Sequence, residues 1–364
     1  MTPTNHDPCK ERISLQRTLL QKNLPFELGG VVVQPGSQAT VHIPVAHLYT
    51  HTPVDLTVHV IHGTRSGPCL FVSAALHGDE LNGVEICRRL IQDRAMRGVR
   101  GTLLVIPVVN VLGFLQHNRY FPDHRDLNRS FPGLAKGSLA AQTADLFMRQ
   151  IVARASHGID LHAGTRQRYN LPQTRGKEGC PIVDAMAQAF KAPIHLHTGF
   201  LPGSLRGAAH EVHVPVLLYE GGEAMRLDEL AITSGLKGIL GVMRHLGMLV
   251  EGTKITPSKT KWCTASSSRW IRAPQSGMMQ TRKPVGSHVQ AGEILGHIRN
   301  PLGTEIIDVP ALQEGIIIGH SNNPLVHQGE ALFHIALFPN TALLKEMAQD
   351  SMESLHEGLN DEFL

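Results

Sequence analysis

The segment from Cys69 to Leu90, CLFVSAALHGDELNGVEICRRL, constrains the fold more than any other part of the chain. Its mostly apolar run, Leu70 to Leu76, ends abruptly in the ionisable turn His77-Gly78-Asp79-Glu80, and apolar residues at helical spacing follow. The pattern predicts a buried strand, a tight turn and an amphipathic helix. Ligand sites in open α/β sheets lie at the carboxyl ends of strands, so His77 and Glu80 are candidate metal ligands. The alternative is a capping carboxylate beside a hydrogen-bonded histidine.

Composition excludes several classes of function. The chain has 364 residues, enough for one large domain plus a small one, and its 42% hydrophobic and 18% charged residues are ordinary for a soluble globular protein. The net charge of +3 is too small to indicate a nucleic-acid partner, and no block rich in Lys and Arg is present. The 22 histidines are unusual and suit metal binding and proton transfer.

The cysteines and the apolar runs indicate the cellular compartment of the protein. The five cysteines are scattered and include no C-x-x-C pair, which argues against a thiolate zinc site and favours a reducing compartment. The amino-terminal segment has no apolar signal core, and no run approaches the roughly 18 apolar residues of a membrane helix. We therefore expect a cytoplasmic protein with no membrane partner.

Strand and helix patterns alternate through most of the chain, which predicts an α/β sheet with helices on its faces. Residues 1–53 form a polar arm and a β-rich lead-in, and residues 54–253 form the α/β domain. A linker rich in Thr, Ser and Lys is expected at 254–268, a small β domain at 269–338, and a helical tail at 339–364.

The predicted β domain contains an internal repeat. Val289–Ile298 and Val326–Ile335 share the pattern V-x-x-G-E-x-L-x-H-I. Two related halves indicate a pseudo-symmetric β sandwich or barrel.

His162 is the candidate third metal ligand. It ends the short strand pattern Gly158–Gly164, GIDLHAG, and strand ends gather at one edge of a sheet. A catalytic zinc site needs three protein ligands and an open position, which His77, Glu80 and His162 would supply. The alternative is a hydrogen-bonded histidine in a βα turn.

The loop Asn118–Gly133 is the candidate substrate-binding segment, because it is too polar for a core and too rich in Pro and Gly for a long helix. Guanidinium groups bind carboxylates through paired hydrogen bonds, and an amide adds a neutral donor. The alternative is a loop held by its own Asp–Arg pairs. The candidates are Arg119, Arg125, Asn128 and Arg129.

Glu220 ends the apolar strand Val214–Gly222, VPVLLYEGG. A carboxylate there is costly unless it is paired or functional. Beside a metal it would take a proton from water and pass it to a leaving amine. Glu223 is the competing candidate, and a capping or salt-bridged role is the alternative.

These motifs, in this order, resemble the succinylglutamate desuccinylase/aspartoacylase family, which is related to the zinc carboxypeptidases. The resemblance covers roughly residues 54–249 and consists of H-G-D-E, D-L-N-R-x-F-P-G, D-L-H and a strand ending in E-G-G. It implies a zinc-carboxypeptidase-like mixed sheet flanked by helices, with a smaller all-β domain at the carboxyl end.

The resemblance also implies roles for single residues. His77, Glu80 and His162 match the ligands of one zinc ion per chain, and Glu220 matches the general acid/base. Arg119 matches the arginine that polarises the scissile carbonyl, with Arg125 as the alternative.

Asn128 and Arg129, in D-L-N-R, match the pair that grips the substrate carboxylate, and Arg125 is a further substrate-binding candidate. The same ligands could hold cobalt or manganese. The C-terminal repeat resembles the biotinyl/lipoyl type of domain. No lysine occurs from His297 to Gly315, however, so a swinging-arm carrier is rejected.

The implied function is zinc-dependent hydrolysis of the amide bond in a small N-acyl amino acid or related carboxylate. Two alternatives remain, namely a metallocarboxypeptidase acting on short or modified peptides and a non-catalytic binding protein. The sequence leaves the acyl group, the amine and a homo-oligomer open.

Overall fold

The computed structural model describes residues 21–253 and 262–340, together with 255, 260, 344–346, 348–350 and 352–353. Most of the predicted amino-terminal arm, residues 1–20, lies outside the described residues. Of the predicted tail, the described residues from 344 to 353 are helical.

Among the described residues of the first two thirds of the chain, six α-helices alternate with the strands. They are α1 (Asn82–Gln92), α2 (Val111–Leu115), α3 (Leu139–Gln150), α4 (Pro181–Phe190), α5 (Leu205–Glu211) and α6 (Glu229–His245). Short 3₁₀ turns occupy Arg94–Gly98, Leu127–Arg129 and Val152–Arg154.

Ten strands precede the C-terminal region. They are β1 (Phe26–Leu28), β2 (Val31–Val33), β3 (Ser37–His47), β4 (Pro53–His62), β5 (Cys69–Ser73), β6 (Thr102–Ile106), β7 (His157–Gly164), β8 (Arg168–Gly176), β9 (Ile194–His197) and β10 (Val216–Glu223). Nine more strands, counted among the described residues, lie within the C-terminal region. They are β11 (Cys263–Ala265), β12 (Ser267–Arg272), β13 (Gly277–Thr281), β14 (His288–Val289), β15 (Ile294–Arg299), β16 (Ile306–Pro310), β17 (Gly315–Ser321), β18 (Leu325–Val326) and β19 (Ala331–Leu337).

One mixed sheet of thirteen strands, counted among the described residues, organises the molecule. Its main path runs β12-β19-β17-β8-β10-β7-β5-β6-β4-β3. The central strands β10, β7, β5 and β6 are parallel neighbours, so their carboxyl ends meet at one edge. Apolar clusters cover both faces of this part of the sheet, one including α1, α4 and α6 and the other including α3. The prediction of a mixed α/β sheet flanked by helices is confirmed.

Strand β8 connects the α/β part of the main sheet to the strands of the C-terminal region. Its second half pairs in parallel with β9, whereas Arg168 to Asn170 pair with β17 of the C-terminal region. A third apolar cluster combines Leu171, Ile194 and Leu196 with C-terminal residues. The C-terminal strands therefore continue the main sheet and share a core with it.

The internal repeat is visible in the structure. Each copy is a short strand, a turn and a longer strand, with Gly292 and Gly329 at matching positions and φ values of +82° and +81°. Each turn is closed by the following glutamate, since Glu293 accepts from the Gln290 N–H and Glu330 from the His327 N–H, both at 3.0 Å. The first copy runs from the main sheet into a four-stranded sheet, and the second runs back. The likeness to biotinyl/lipoyl domains stays a prediction.

Some elements differ from the sequence prediction. Strand β8 and helix α5 were not predicted, because the polar residues of β8 face a cavity and α5 has only seven residues. Within the predicted linker 254–268, β11 forms a short parallel strand beside β9. Among the described residues, Cys69, Cys87 and Cys263 are free thiols.

Candidate active site

The turn His77-Gly78-Asp79-Glu80 follows β5 at the carboxyl edge of the parallel strands. Glycine is required at position 78, because a Cβ there would lie 2.0 Å from the backbone carbon of Gly113. This close approach presses the turn against α2. His77 and Glu80 are consequently buried, with exposed fractions of 3% and 1%.

Glu80 bridges the two histidines that were predicted to be ligands. Its Oε1 lies 2.7 Å from Nδ1 of His77, and its Oε2 lies 2.9 Å from Nδ1 of His162. The Ala163 N–H also donates to Oε2 at 3.1 Å. The structure therefore brings together three donors from two separate segments of the chain.

Both histidines are oriented by a second carboxylate. Nε2 of His77 lies 3.1 Å from Oδ1 of Asp126, and Nε2 of His162 lies 2.8 Å from Oδ2 of Asp160. A carboxylate can only accept, so in each ring Nε2 faces Asp126 or Asp160 while Nδ1 faces Glu80. A metal ion between the rings would replace the protons on Nδ1 and leave the Nε2 contacts in place. Carboxylates that hold the outer nitrogen in this way are typical of metal-binding histidines.

The charges of the cluster are strongly coupled. Burial alone would raise the pKa of Glu80, but its contacts with His77 and His162 outweigh burial and hold the pKa far below its ordinary value. Burial lowers the pKa of His162, yet Asp160 and Glu80 raise it well above the usual histidine value. The pKa of His77 is also raised, because Glu80 and Asp126 outweigh the effect of burial. Glu80, Asp126 and Asp160 therefore stabilise positive charge at the imidazole rings of His77 and His162.

The cluster fits a divalent metal ion. The candidate donor atoms of His77, Glu80 and His162 all lie within 4.8 Å of one another. Two imidazoles and a carboxylate are a common set of catalytic zinc ligands, and the outer carboxylates complete the usual support.

Glu220 lies beside the cluster on the neighbouring strand. It is in register with His162 in the parallel pairing of β10 and β7, so both side chains occupy the same level of the sheet. Asn170 donates to its Oε2 at 2.7 Å, and the Arg175 guanidinium lies 3.4 Å from its Oε1. Both partners belong to β8, and they fix the carboxylate at the cavity wall.

Glu223, the competing candidate, is placed elsewhere. Its carboxylate accepts from the Gln167 N–H at 2.8 Å and from the Asn322 amide at 2.6 Å, and it does not line the cavity. Gly222 has a φ of +72°, and a Cβ there would lie 2.4 Å from the Asn82 amide nitrogen. The register of β10 with β7 shifts between Glu220 and Glu223, so the two carboxylates do not lie at the same site.

Arg119 reaches the cluster from the loop after α2. Its guanidinium donates to Oε1 of Glu80 and to Oδ2 of Asp126, each at 3.2 Å. Arg119 also lines the cavity, so its guanidinium can donate to a molecule bound beside the three candidate metal ligands.

Arg125, predicted as a further substrate-binding residue, lies outside the cavity. Its side chain is 63% exposed and pairs with Asp123, at 3.3 Å, in the same turn. A backbone bond from the Phe121 N–H to the Arg125 carbonyl closes that turn and directs the side chain away from the cavity. The alternative of a local Asp–Arg pair therefore holds at this residue.

Asn128 and Arg129 both line the cavity. Oδ1 of Asn128 accepts from the Leu205 N–H at 2.9 Å, which leaves its amide N–H groups for other partners. Nη1 of Arg129 donates to the Asn128 carbonyl at 2.6 Å. Both residues occupy the 3₁₀ turn that begins after Asp126.

The cavity has a volume of about 210 Å³, and its lining includes the three candidate metal ligands together with Glu220, Arg119, Asn128, Arg129, Asn170 and Arg175. It adjoins a wider outer cavity of about 610 Å³, with which it shares Arg119, Thr165 and Arg168. Sequence reasoning missed several lining residues. Arg206 and Trp270 were given no role there, and Arg168 and Arg175 also line the cavity.

Arg206 is the most unusual of them. It is only 8% exposed, and its Nη1 makes no hydrogen bond among the described residues. Nη2 donates to the Thr198 hydroxyl at 3.2 Å. Burial and the nearby Arg175 lower its pKa to about 10. A buried, incompletely paired guanidinium beside a cavity is suited to an anionic ligand.

Trp270 comes from β12 in the C-terminal region. Its ring stacks on His334 with centroids 4.4 Å apart, and the Arg168 guanidinium lies 5.3 Å from its centroid. The C-terminal region therefore forms part of the cavity wall. No sequence pattern distinguishes this tryptophan from an ordinary strand residue.

Residues 66–246 match the family model described as the succinylglutamate desuccinylase/aspartoacylase catalytic domain. The chain belongs to the succinylglutamate desuccinylase/aspartoacylase family. A relative from Halomonas elongata, named N-alpha-acetyl-L-2,4-diaminobutyric acid deacetylase, is 26% identical over 291 residues, which span 74% of this chain and 82% of the relative.

Solved structures of the family share the fold. A succinylglutamate desuccinylase/aspartoacylase from Rhodobacter sphaeroides aligns with a TM-score of 0.74 at 22% identity, covering 83% of this chain and 96% of that one. The product-bound ectoine utilization protein EutE (DoeB) from Ruegeria pomeroyi gives a TM-score of 0.74 at 21% identity, covering 88% and 100%. At such identities the likeness concerns the fold alone.

None of the helices in the described part of the chain combines the length and apolar character needed to cross a bilayer.

Proposed function

We propose that this protein is a zinc-dependent deacylase that hydrolyses the amide bond of a small N-acyl amino acid. The observation that carries the proposal is the register of Glu220 with His162, which sets a fixed carboxylate beside three convergent metal-ligating donors in one cavity. Family membership and the name of the Halomonas elongata relative support amide hydrolysis as the reaction.

His77, Glu80 and His162 would hold the metal. When bound, zinc lowers the pKa of a water molecule towards about 7 and stabilises negative charge on the carbonyl oxygen. The contacts of Asp126 and Asp160 with the Nε2 atoms would hold both rings in the orientation that presents Nδ1 to the metal. Asp160 is itself held by the Ser73 hydroxyl, which donates to Oδ1 at 2.7 Å.

Glu220 is proposed to move the proton. Its carboxylate accepts a proton from the attacking water and later donates it to the nitrogen of the departing amine. Asn170 and Arg175 hold its two oxygens, so the carboxylate keeps its position during both transfers.

Arginines and an amide are proposed to hold the substrate. Arg119 donates to the carbonyl oxygen as negative charge develops there. Asn128, Arg129 and Arg206 surround the remaining cavity and offer donors to a substrate carboxylate. The unpaired Nη1 of Arg206 supports an anionic group at its end of the cavity.

The volume of the cavity supports a small substrate. About 210 Å³ is below the range of pockets for drug-sized ligands, and Trp270 bounds it on one side. An acyl amino acid therefore fits better than a peptide, although the outer cavity would admit a longer acyl or amine portion.

The test is amine release from a panel of N-acyl amino acids, N-acyl diamines and dipeptides, with zinc-loaded and metal-stripped protein side by side. Metal-dependent release from an acyl amino acid supports the deacylase. Release of a C-terminal residue from dipeptides alone would instead support a metallocarboxypeptidase. No release from any member by zinc-loaded protein would favour a binding protein.

A further inference from the structure

A second group of metal-ligating side chains lies outside the cavity. Asp184, His195 and His197 bring one carboxylate oxygen and two imidazole nitrogens within 4.8 Å of one another. None of the three lines the cavity that contains His77, Glu80 and His162. The proposed hydrolysis gives these residues no role.

The local fold explains why they meet. His195 and His197 are two positions apart on β9, so their side chains lie on the same face of the strand. The alternate residues Ile194 and Leu196 pack into the C-terminal core on the other face. Asp184 comes from the first turn of α4, the helix that connects β8 to β9.

The geometry suits tetrahedral coordination. Nε2 of His195 lies 3.3 Å from Oδ1 of Asp184, and Nε2 of His197 lies 3.1 Å from the same oxygen. Ligand atoms that surround zinc tetrahedrally at about 2.0–2.1 Å are themselves about 3.3 Å apart. The two nitrogen–oxygen distances therefore already match those around a zinc ion, and the two nitrogens lie within 4.8 Å of each other.

An outer partner orients His195. Nδ1 lies 3.0 Å from the hydroxyl of Thr174, the residue in register with His195 on β8. A hydroxyl in this position can accept the Nδ1 proton and leave Nε2 as the ligating atom.

Solvent access also favours a metal. The side chains of Asp184 and His197 are 40% and 19% exposed, so an ion can enter and water can complete its coordination.

We propose that Asp184, His195 and His197 form a second metal site that binds one zinc ion. The site joins α4 to β9 immediately before Thr198, whose hydroxyl accepts from the Arg206 guanidinium. Its role is structural, because it fixes the segment that positions Arg206.

The test is zinc stoichiometry of the full-length protein, stripped of metal, reloaded and freed of excess zinc by gel filtration. Wild type is expected to retain two zinc ions per chain. Asp184→Asn, nearly isosteric and partly exposed, and the double variant His195→Gln/His197→Gln should each retain one. The matched control, His77→Ala/His162→Ala, should also retain one, now at the second site.

A second readout is independent of activity. Zinc should raise the Tm of His77→Ala/His162→Ala, because it binds the native state at the remaining site. Adding Asp184→Asn to that variant should abolish the increase. One zinc ion in wild type, unchanged by Asp184→Asn, would overturn the second site. Two zinc ions without amine release would leave the second site standing and count against the deacylase alone.

Discussion

Oδ2 of Asp160 lies 2.8 Å from Nε2 of His162, two residues away on the same strand. Residues two positions apart on a strand point to the same face, so Asp160 and His162 lie side by side on β7. The Asp160 carboxylate accepts the proton of Nε2 and so fixes the orientation of the ring. Asp126 acts on His77 in the same way from a different segment. The candidate ligands are therefore oriented before any metal binds.

Asp160→Asn is expected to weaken zinc binding at the His77 cluster about 10- to 100-fold, the usual effect of removing an outer carboxylate. The amide leaves the volume nearly unchanged but removes the negative charge behind His162. The measurement is the zinc dissociation constant by competition with a chelator. Asp145→Asn, which disrupts the surface pair of Asp145 with Arg149, is the control and should leave the constant unchanged. Equal constants for Asp160→Asn and wild type would remove the orienting role.

Zinc affinity at this cluster should fall as pH falls. The pKa values of His77 and His162 are raised in the metal-free protein, so both rings hold protons at a higher pH than an ordinary histidine. Zinc must displace those protons, and its binding should release them into solution. Calorimetry in buffers of different ionisation enthalpy, from weakly alkaline to weakly acidic pH, measures both effects. Affinity independent of pH, without proton release, would contradict this arrangement.

Arg206→Met should raise KM about 10- to 100-fold. A hydrogen bond to a charged group contributes about 1.5–3 kcal/mol, and methionine keeps the apolar stem while removing the guanidinium. Steady-state kinetics on an N-acyl amino acid provide the measurement. Arg125→Met is the matched control, because that side chain is exposed outside the cavity and its loss should leave KM unchanged. A larger effect at Arg125 than at Arg206 would reverse the assignment.

The sequence predicted the parts of the molecule that local patterns encode. Apolar runs and helical spacing predicted β5, α1 and the alternation of strands with helices, all of which the structure contains. Strand ends that carry His77 and His162 could be expected to converge, because parallel strands end at one edge.

Other features depend on long-range contacts. Arg125 and Arg119 are equivalent by composition, and only the turn at Phe121 separates an exposed side chain from one that contacts Glu80. Arg206 lies on a short helix whose burial comes from packing, and Trp270 reaches the cavity because β17 extends the main sheet from β8. Neither contact leaves a periodic signal in the sequence.

The most direct test of the account is amine release from an N-acetyl amino acid as zinc is returned to metal-stripped protein, with wild type and Glu220→Gln compared at equal zinc content. We expect release by wild type to rise with zinc bound at His77, Glu80 and His162. Glu220→Gln should bind the same zinc and release amine about 10²- to 10⁴-fold more slowly, the usual contribution of a general acid/base. Release that does not depend on zinc, or a zinc-loaded Glu220→Gln variant as active as wild type, would contradict the account.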